Sequence, residues 1–240
     1  MRVGIIAEGR SDFAVLANIL NGKLGIRRHQ LTPLRPRFAL DETDLAAGRG
    51  PQQPDEYSNY ALVLADCSAP HDKLLGFLDT QIAEERFVVV HIDTDKCHTP
   101  EIGVVRPPKK PKEAAEGYTE ALRGLVAAKI EALLGAELSE GVCLAVAVEE
   151  TEAWLLTLWD PEDPRDTGLR GDPKKYFKEC IVDGAKKTAP RARERGEKDH
   201  DYFDHLSQGF RDGAWLANCA GRNASLRLFV ESLAARGLTR

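Results

Sequence analysis

The sequence predicts an α/β fold, a parallel sheet of about four strands flanked by helices and followed by a mostly helical C-terminal extension. Short apolar runs end on acidic residues, as at Val3 to Ala7 before Glu8 and at Phe87 to Ile92 before Asp93. Segments of helical period lie between these runs. The composition then changes at Asp160-Pro161-Glu162-Asp163-Pro164, where two prolines break any helix and a Lys/Arg-rich stretch follows. Alternation of strand and helix, with strands apolar throughout, is the pattern of a parallel sheet covered on both faces.

In chain order, Val3 to Ala7 forms the first strand. Phe13, Leu16, Ala17 and Leu20 then repeat at i, i+3, i+4 and i+7, and Ser11 or Asp12 is placed to cap that helix. Residues 27–59 show little periodicity and read as irregular, with a short edge strand around Arg37 to Leu40. Tyr60 to Ala65 reads as the second strand. Leu74, Leu75, Leu78 and Ile82 mark a helix before the strand Phe87 to Ile92. After a Pro/Lys loop at Arg106 to Pro111, Ala114, Tyr118, Ala121, Leu122, Leu125 and Ile130 trace a long amphipathic helix. Val142 to Val148 is the fourth strand, and Glu149 to Trp159 reads as the helix behind it. Leu226, Phe229, Val230 and Leu233 share one face of a closing helix, which Asn223 is placed to cap. The division expected is a core of residues 1–160 and a basic extension of residues 161–240 packed on it.

At 42% hydrophobic residues in 240 the chain can bury a core, which excludes a disordered or collagen-like class. Thirty-three Lys and Arg against 38 Asp and Glu leave a net charge of -5, so the chain is no uniformly basic coat for nucleic acid. Cys67, Cys97, Cys143, Cys180 and Cys219 are odd in number and include no CxxC pair, so reduced thiols in a cytoplasmic protein are expected. No apolar run approaches the roughly 20 residues of a membrane span, and Glu8 interrupts the N-terminal run too early for a signal peptide.

Ligands of open α/β sheets sit beyond the carboxyl ends of the strands. Three proposed strands carry acids there: Glu8, then Asp93 and Asp95, then Glu149 to Glu152. Asp93 and Asp95 are two apart, so extended backbone points both the same way. Glu149 and Glu152 are three apart, which sets them on one face of a helix. Gathered carboxylates repel by about 1 kcal/mol per pair in water and about 4 near a protein surface. A cation, a shared proton or basic neighbours must offset that. Oxygen donors without a Cys/His set favour Mg2+ or Mn2+ over zinc. Each acid alone also fits a plainer role, as a turn cap or a helix-dipole residue; the combination is the specific signal.

Ala7-Glu8-Gly9-Arg10-Ser11-Asp12 with His91-Ile92-Asp93-Thr94-Asp95 resembles the Toprim domain of topoisomerases, primases and overcoming-lysogenization-defect nucleases. Glu149-Glu150-Thr151-Glu152-Ala153-Trp154-Leu155-Leu156 and Gly221-Arg222-Asn223-Ala224-Ser225-Leu226-Arg227 resemble one branch more closely. That branch comprises small bacterial Toprim-like proteins of phage-defence loci, often beside an SMC-like or AAA-type ATPase. The resemblance spans most of the chain outside residues 27–59 and 165–210. It implies a Toprim-like Rossmannoid sheet and a metal-dependent nuclease acting on DNA or RNA, the effector of an anti-phage system. Glu8 would be the general acid/base or a metal ligand, Asp93 and Asp95 metal ligands, and Glu152 a further acidic ligand, with Glu149 second. Lys96-Cys97-His98 stands where the family often carries more acids, which leaves a second metal open. The resemblance implies an ATPase partner too; the chain has no GxxxxGK[ST] of its own, so ATP hydrolysis of that type would fall to another protein. A homo-oligomer is left open.

Residues 170–198 hold ten basic residues against five acidic ones in a chain of net negative charge. Lys174, Lys175 and Lys178, beside Tyr176 and Phe177, are the candidate nucleic-acid contacts there, although a solvated helix face is the usual meaning of such a run. Arg10, Lys96, Lys109 and Lys110 are further candidates, with Arg106 and Lys112 in the same loop as the last two. His91 reads as a packed core residue and His98 as a loop residue within reach of phosphate. Competing with the nuclease are a non-catalytic adaptor or sensor that binds nucleic acid or an ATPase, and a phosphoryl or nucleotidyl transferase using the same acids.

Overall fold

The computed structural model describes residues 1–36, 58–79, 84–108, 115–160, 166–169, 172–178 and 200–235. Four parallel strands form one sheet: β1 (Arg2–Ile6), β2 (Leu31–Arg35), β3 (Arg86–Asp93) and β4 (Val142–Ala147), in the order β2-β1-β3-β4. The chain moves outward from β1 to β2 and returns past β1 to β3. The strand order therefore reverses between β1 and β3, which opens a crevice at their carboxyl ends. Ile6 pairs with Val90, and Asp93 with Ala147.

Each strand is apolar because both faces are covered. On one side Val3, Ile5, Phe87, Val89, Cys143 and Ala145 meet α1 (Arg10–Leu24), α5 (Glu152–Trp159), α8 (Gly213–Ala220) and α9 (Ala224–Ala235). On the other, Ile6, Val88, Val90, Leu144 and Val146 meet α2 (Tyr60–Asp66), α3 (Asp72–Leu78) and α4 (Ala115–Ser139). The C-terminal helices α7 (His200–Leu206), α8 and α9 thus share the core of the sheet. α1 and the 3-10 turn Gln208–Arg211 approach so closely that a Cβ at Gly22 would collide with the Phe210 carbonyl. Leu226, Phe229, Val230 and Leu233 are buried as the periodicity of α9 predicts, and Asn223 Oδ1 accepts the Leu226 N–H at 2.9 Å.

Several local expectations give way. Tyr60 to Ala65 is helical: Asn59 Oδ1 accepts the Leu62 N–H at 3.0 Å and starts α2. A six-residue apolar run does not itself separate strand from buried helix, and here the cap decides. The second strand lies instead at Leu31–Arg35, inside the segment read as irregular. Pro33 disguised it, and is tolerated because β2 is the sheet's edge. Neither Ser11 nor Asp12 caps α1; Gly9 occupies that position without a side-chain bond. The edge strand expected at Arg37 to Leu40, Ile82, Cys180 and most of the basic stretch lie outside the described residues. Cys67, Cys97, Cys143 and Cys219 are buried and form no disulfide among the described residues. Among the described residues no helix is long and apolar enough to cross a membrane.

Candidate functional site

Acidic side chains meet at the β1/β3 crevice. Glu8 follows β1, and its Oε1 accepts the backbone N–H of Asp93 at 2.8 Å, which joins the two strand ends directly. Asp12 lies one helical turn further on and is only 8% exposed. A Cβ at Gly9 would stand 3.2 Å from Asp12 Oδ2, so the bare glycine leaves room for that carboxylate. Glu152 opens α5 behind β4.

The group is short of positive charge. Burial pushes Glu8 up to about 8, with Asp12 and Asp95 adding and the Asp93 amide and Lys174 opposing. Burial likewise holds Asp93 well above the usual carboxylate range, reinforced by Asp12, Glu8, Glu152 and Asp95. Glu152 rises to about 7 through burial, which Lys174 opposes and Glu150 and Asp12 assist. The cation among them, Lys174, sits on the short turn α6 (Pro173–Tyr176), whose start Asp172 caps. Its Nζ donates to Glu150 Oε1 at 3.2 Å. Burial works against the Lys174 charge, yet Glu152 and Glu150 outweigh it and lift the ammonium to about 12.

Asp95 departs from the expected geometry. The extended backbone ends at Asp93, and Asp95 lies in the following turn, where Oδ2 pairs with Lys96 Nζ at 3.3 Å. It still adds negative charge at Asp93 and Glu8. Glu149 departs further. It does not share a helical face with Glu152, because α5 begins only at Glu152 and Glu149 has φ +64°, in the left-handed region. Such a conformation costs a non-glycine residue roughly 1–3 kcal/mol unless its surroundings hold it. Here they do: Glu149 N–H donates to Thr94 Oγ1 (2.8 Å), its carbonyl accepts from Asp95 N–H (3.0 Å), and Arg106 Nη1 donates to both carboxylate oxygens (3.0 and 2.9 Å). Arg106 Nη2 donates to the Thr94 and Asp95 carbonyls as well (2.9 and 3.2 Å). Glu149 and Arg106 are therefore a clamp fixing the Asp93-Thr94-Asp95 loop. Arg106→Ala strands a carboxylate that is 8% exposed, and is expected to cost about 3 kcal/mol in urea denaturation. A loss under about 0.5 kcal/mol is that of a surface pair and rules the clamp out.

Behind Asp93, Thr151 Oγ1 donates to Asp93 Oδ1 (3.1 Å) and lies 3.0 Å from His91 Nε2. His91 is fully buried, as its place in an apolar strand predicts. Burial holds its imidazole below the usual range, with Asp12 pulling the other way. Of the predicted basic contacts, Lys174 and Lys96 meet acids. Arg10, Lys175, Lys178 and His98 are exposed, and Lys109, Lys110 and Lys112 fall outside the described residues. Sequence reasoning missed Asp12 and Thr151. The signal for Asp12 is its four-residue spacing from Glu8 across the first helical turn.

Among the described residues, no three His, Cys, Asp and Glu side chains are drawn together closely enough to hold a metal ion as they stand. Comparison with protein-family models, with curated proteins and with solved structures finds no match to this chain.

Proposed function

We propose that the chain is a divalent-metal-dependent phosphodiesterase acting on DNA or RNA. The observation that carries this reading is that Glu8 and Glu152, from separate elements, both bear electrostatically on Asp93 at the strand ends where strand order reverses. The donor set fits Mg2+ or Mn2+ in kind: all oxygens, raised in proton affinity by burial, with neighbouring acids adding and one lysine opposing. Mg2+ needs no prebuilt protein cage, since it takes one or two carboxylates and completes its shell with water and substrate phosphate. Glu8, Asp93 and Glu152, with Asp95 at the margin, are the residues that would hold it.

A bound divalent ion supplies Lewis acidity and neutralises charge at the scissile phosphate. The chain's residues do the rest. Glu8, with a proton affinity near neutrality, is suited to take up or release a proton at Oε2 while Oε1 stays fixed on the Asp93 amide. Lys174 balances negative charge developing on phosphoryl oxygens, with Lys96 and the exposed Arg10, Lys175 and Lys178 as further backbone contacts. The resemblance of the Glu8 and Asp93/Asp95 segments to Toprim nucleases supports the same chemistry. It adds the proposals of an anti-phage role, an ATPase partner and a cytoplasmic setting.

The adaptor reading has an observation in its favour, since the acids are not already gathered round one point. Titration of Mg2+ and Mn2+ against labelled single- and double-stranded DNA and RNA separates the two. Cleavage that appears with metal and vanishes with chelator is expected. Binding without product in every arm overturns the enzyme reading in favour of the adaptor.

A further inference from the structure

We infer that His91 and Thr151 are positioning residues that hold the Asp93 carboxylate in one orientation for a divalent cation. The inference rests on the metal-site reading above and deepens it. Along β3 the alternation that turns Val89 toward the α1/α5/α9 side also places His91 and Asp93 there. A valine would satisfy the packing at 91. An imidazole at 0% exposure needs a polar reason, and its Nε2 finds one in Thr151 Oγ1.

Proton counting gives the relay its direction. Thr151 has one hydroxyl proton and two heavy-atom neighbours, His91 Nε2 and Asp93 Oδ1. The hydroxyl proton goes to Asp93 Oδ1, which accepts whether the carboxyl is ionised or carries its proton on Oδ2, so Thr151 must accept from His91 Nε2–H. The imidazole is then neutral with a bare Nδ1. That agrees with Nδ1 having no hydrogen-bond partner among the described residues. A buried N–H in that place would be left unsatisfied.

The ring is held from behind. Trp154 meets it edge-on, at 5.7 Å and 81°, and stacks on Phe229 at 5.9 Å and 7°. Trp154 Nε1 donates to Ser225 Oγ (2.8 Å), Val148 N–H donates to the same oxygen (3.3 Å), and Ser225 Oγ–H donates to Asn223 Oδ1 (2.8 Å). The Asn223-Ala224-Ser225 turn and the Thr151-Glu152-Ala153-Trp154 segment therefore form one scaffold ending on Asp93 Oδ1. Partners in this position fix the orientation and basicity of a metal-binding group.

The experiment uses the full chain and three variants: Thr151→Val, which keeps shape and removes the hydroxyl; Thr151→Ser, which keeps the hydroxyl; and His91→Phe. Mn2+ affinity is read by calorimetry, and the His91 tautomer by 15N imidazole spectra of the metal-free protein. Thr151→Val and His91→Phe are expected to weaken Mn2+ binding roughly ten- to a hundredfold, while Thr151→Ser stays within about threefold of wild type. Wild-type His91 is expected to carry its proton on Nε2, and Thr151→Val to shift that signal. Equal affinity of Thr151→Val and wild type, or a His91 protonated on Nδ1, overturns the relay. If wild type binds no Mn2+ at all, both the metal-site reading and the positioning role fail. The tautomer then tells whether the hydrogen bonds themselves are present.

Discussion

The metal-free protein loses stability as pH rises from about 4.5 to about 8, and Asp93→Asn removes a large part of that loss. The sign follows from where the protons sit. Burial raises the proton affinity of Glu8 to about 8 and of Glu152 to about 7, and raises that of Asp93 as well. In the unfolded chain the same groups release their protons near pH 4. Between those values the folded state binds more protons than the unfolded one, so stability falls with rising pH. The share carried by Glu8 is complete above about 8. Each tenfold difference in proton affinity is worth about 1.4 kcal/mol, so the slope is steep enough to read from urea midpoints at pH 5 and pH 8. Asp93→Asn takes out a buried group whose ionisation four other acids also oppose. Saturating Mn2+ flattens the wild-type profile but not that of Asp93→Asn. A wild-type midpoint that rises between pH 5 and pH 8 contradicts this account of the cluster.

Glu8→Gln abolishes metal-dependent cleavage, by about a thousandfold or more, while nucleic-acid affinity is kept or rises. Glutamine retains Oε1, so the bond from the Asp93 N–H survives and the two strand ends stay joined. What disappears is the charge and the proton-carrying oxygen. Lys174, Lys96 and the other basic side chains are untouched, and one fewer negative charge faces the phosphate backbone. Single-turnover cleavage with binding measured alongside separates the two effects. Cleavage at the wild-type rate with the same metal requirement removes Glu8 from the chemistry.

The strands that place the acids were legible because burial on both faces leaves only apolar residues until the chain meets the crevice. Glu8 and Asp93 mark that point with a change of polarity that composition alone reveals. Glu149 misled for a local reason. A run of acids before Ala153-Trp154-Leu155 resembles a first helical turn, and the left-handed residue that delays α5 depends on Arg106, over forty positions away. Lys174 read as one of several candidate nucleic-acid contacts in a basic run, since nothing in the sequence tells which lysine is folded back onto Glu150. Asp12 hid behind the capping role its position suggests. β2 and α2 exchanged identities because Pro33 masks an edge strand and Asn59 turns a six-residue apolar run into a helix. Each miss came where a partner distant in sequence, or one proline or cap, overrode the pattern.

The placement of α9 has a consequence for how the chain is made. β4 is complete at Ala147, yet the helix packed along it begins only at Ala224. On a translating ribosome the sheet flank carrying Cys143 and Ala145 waits uncovered until Phe229 and Leu233 emerge. Exposed strand faces of this sort are where nascent chains stick to one another, and contacts so far apart in sequence form slowly. The same late docking delivers Ser225 to Trp154, and so fixes the ring against His91. A partly synthesised molecule thus carries every acid of the crevice without the scaffold that aims Asp93, and the site ripens only as its last strand finds cover.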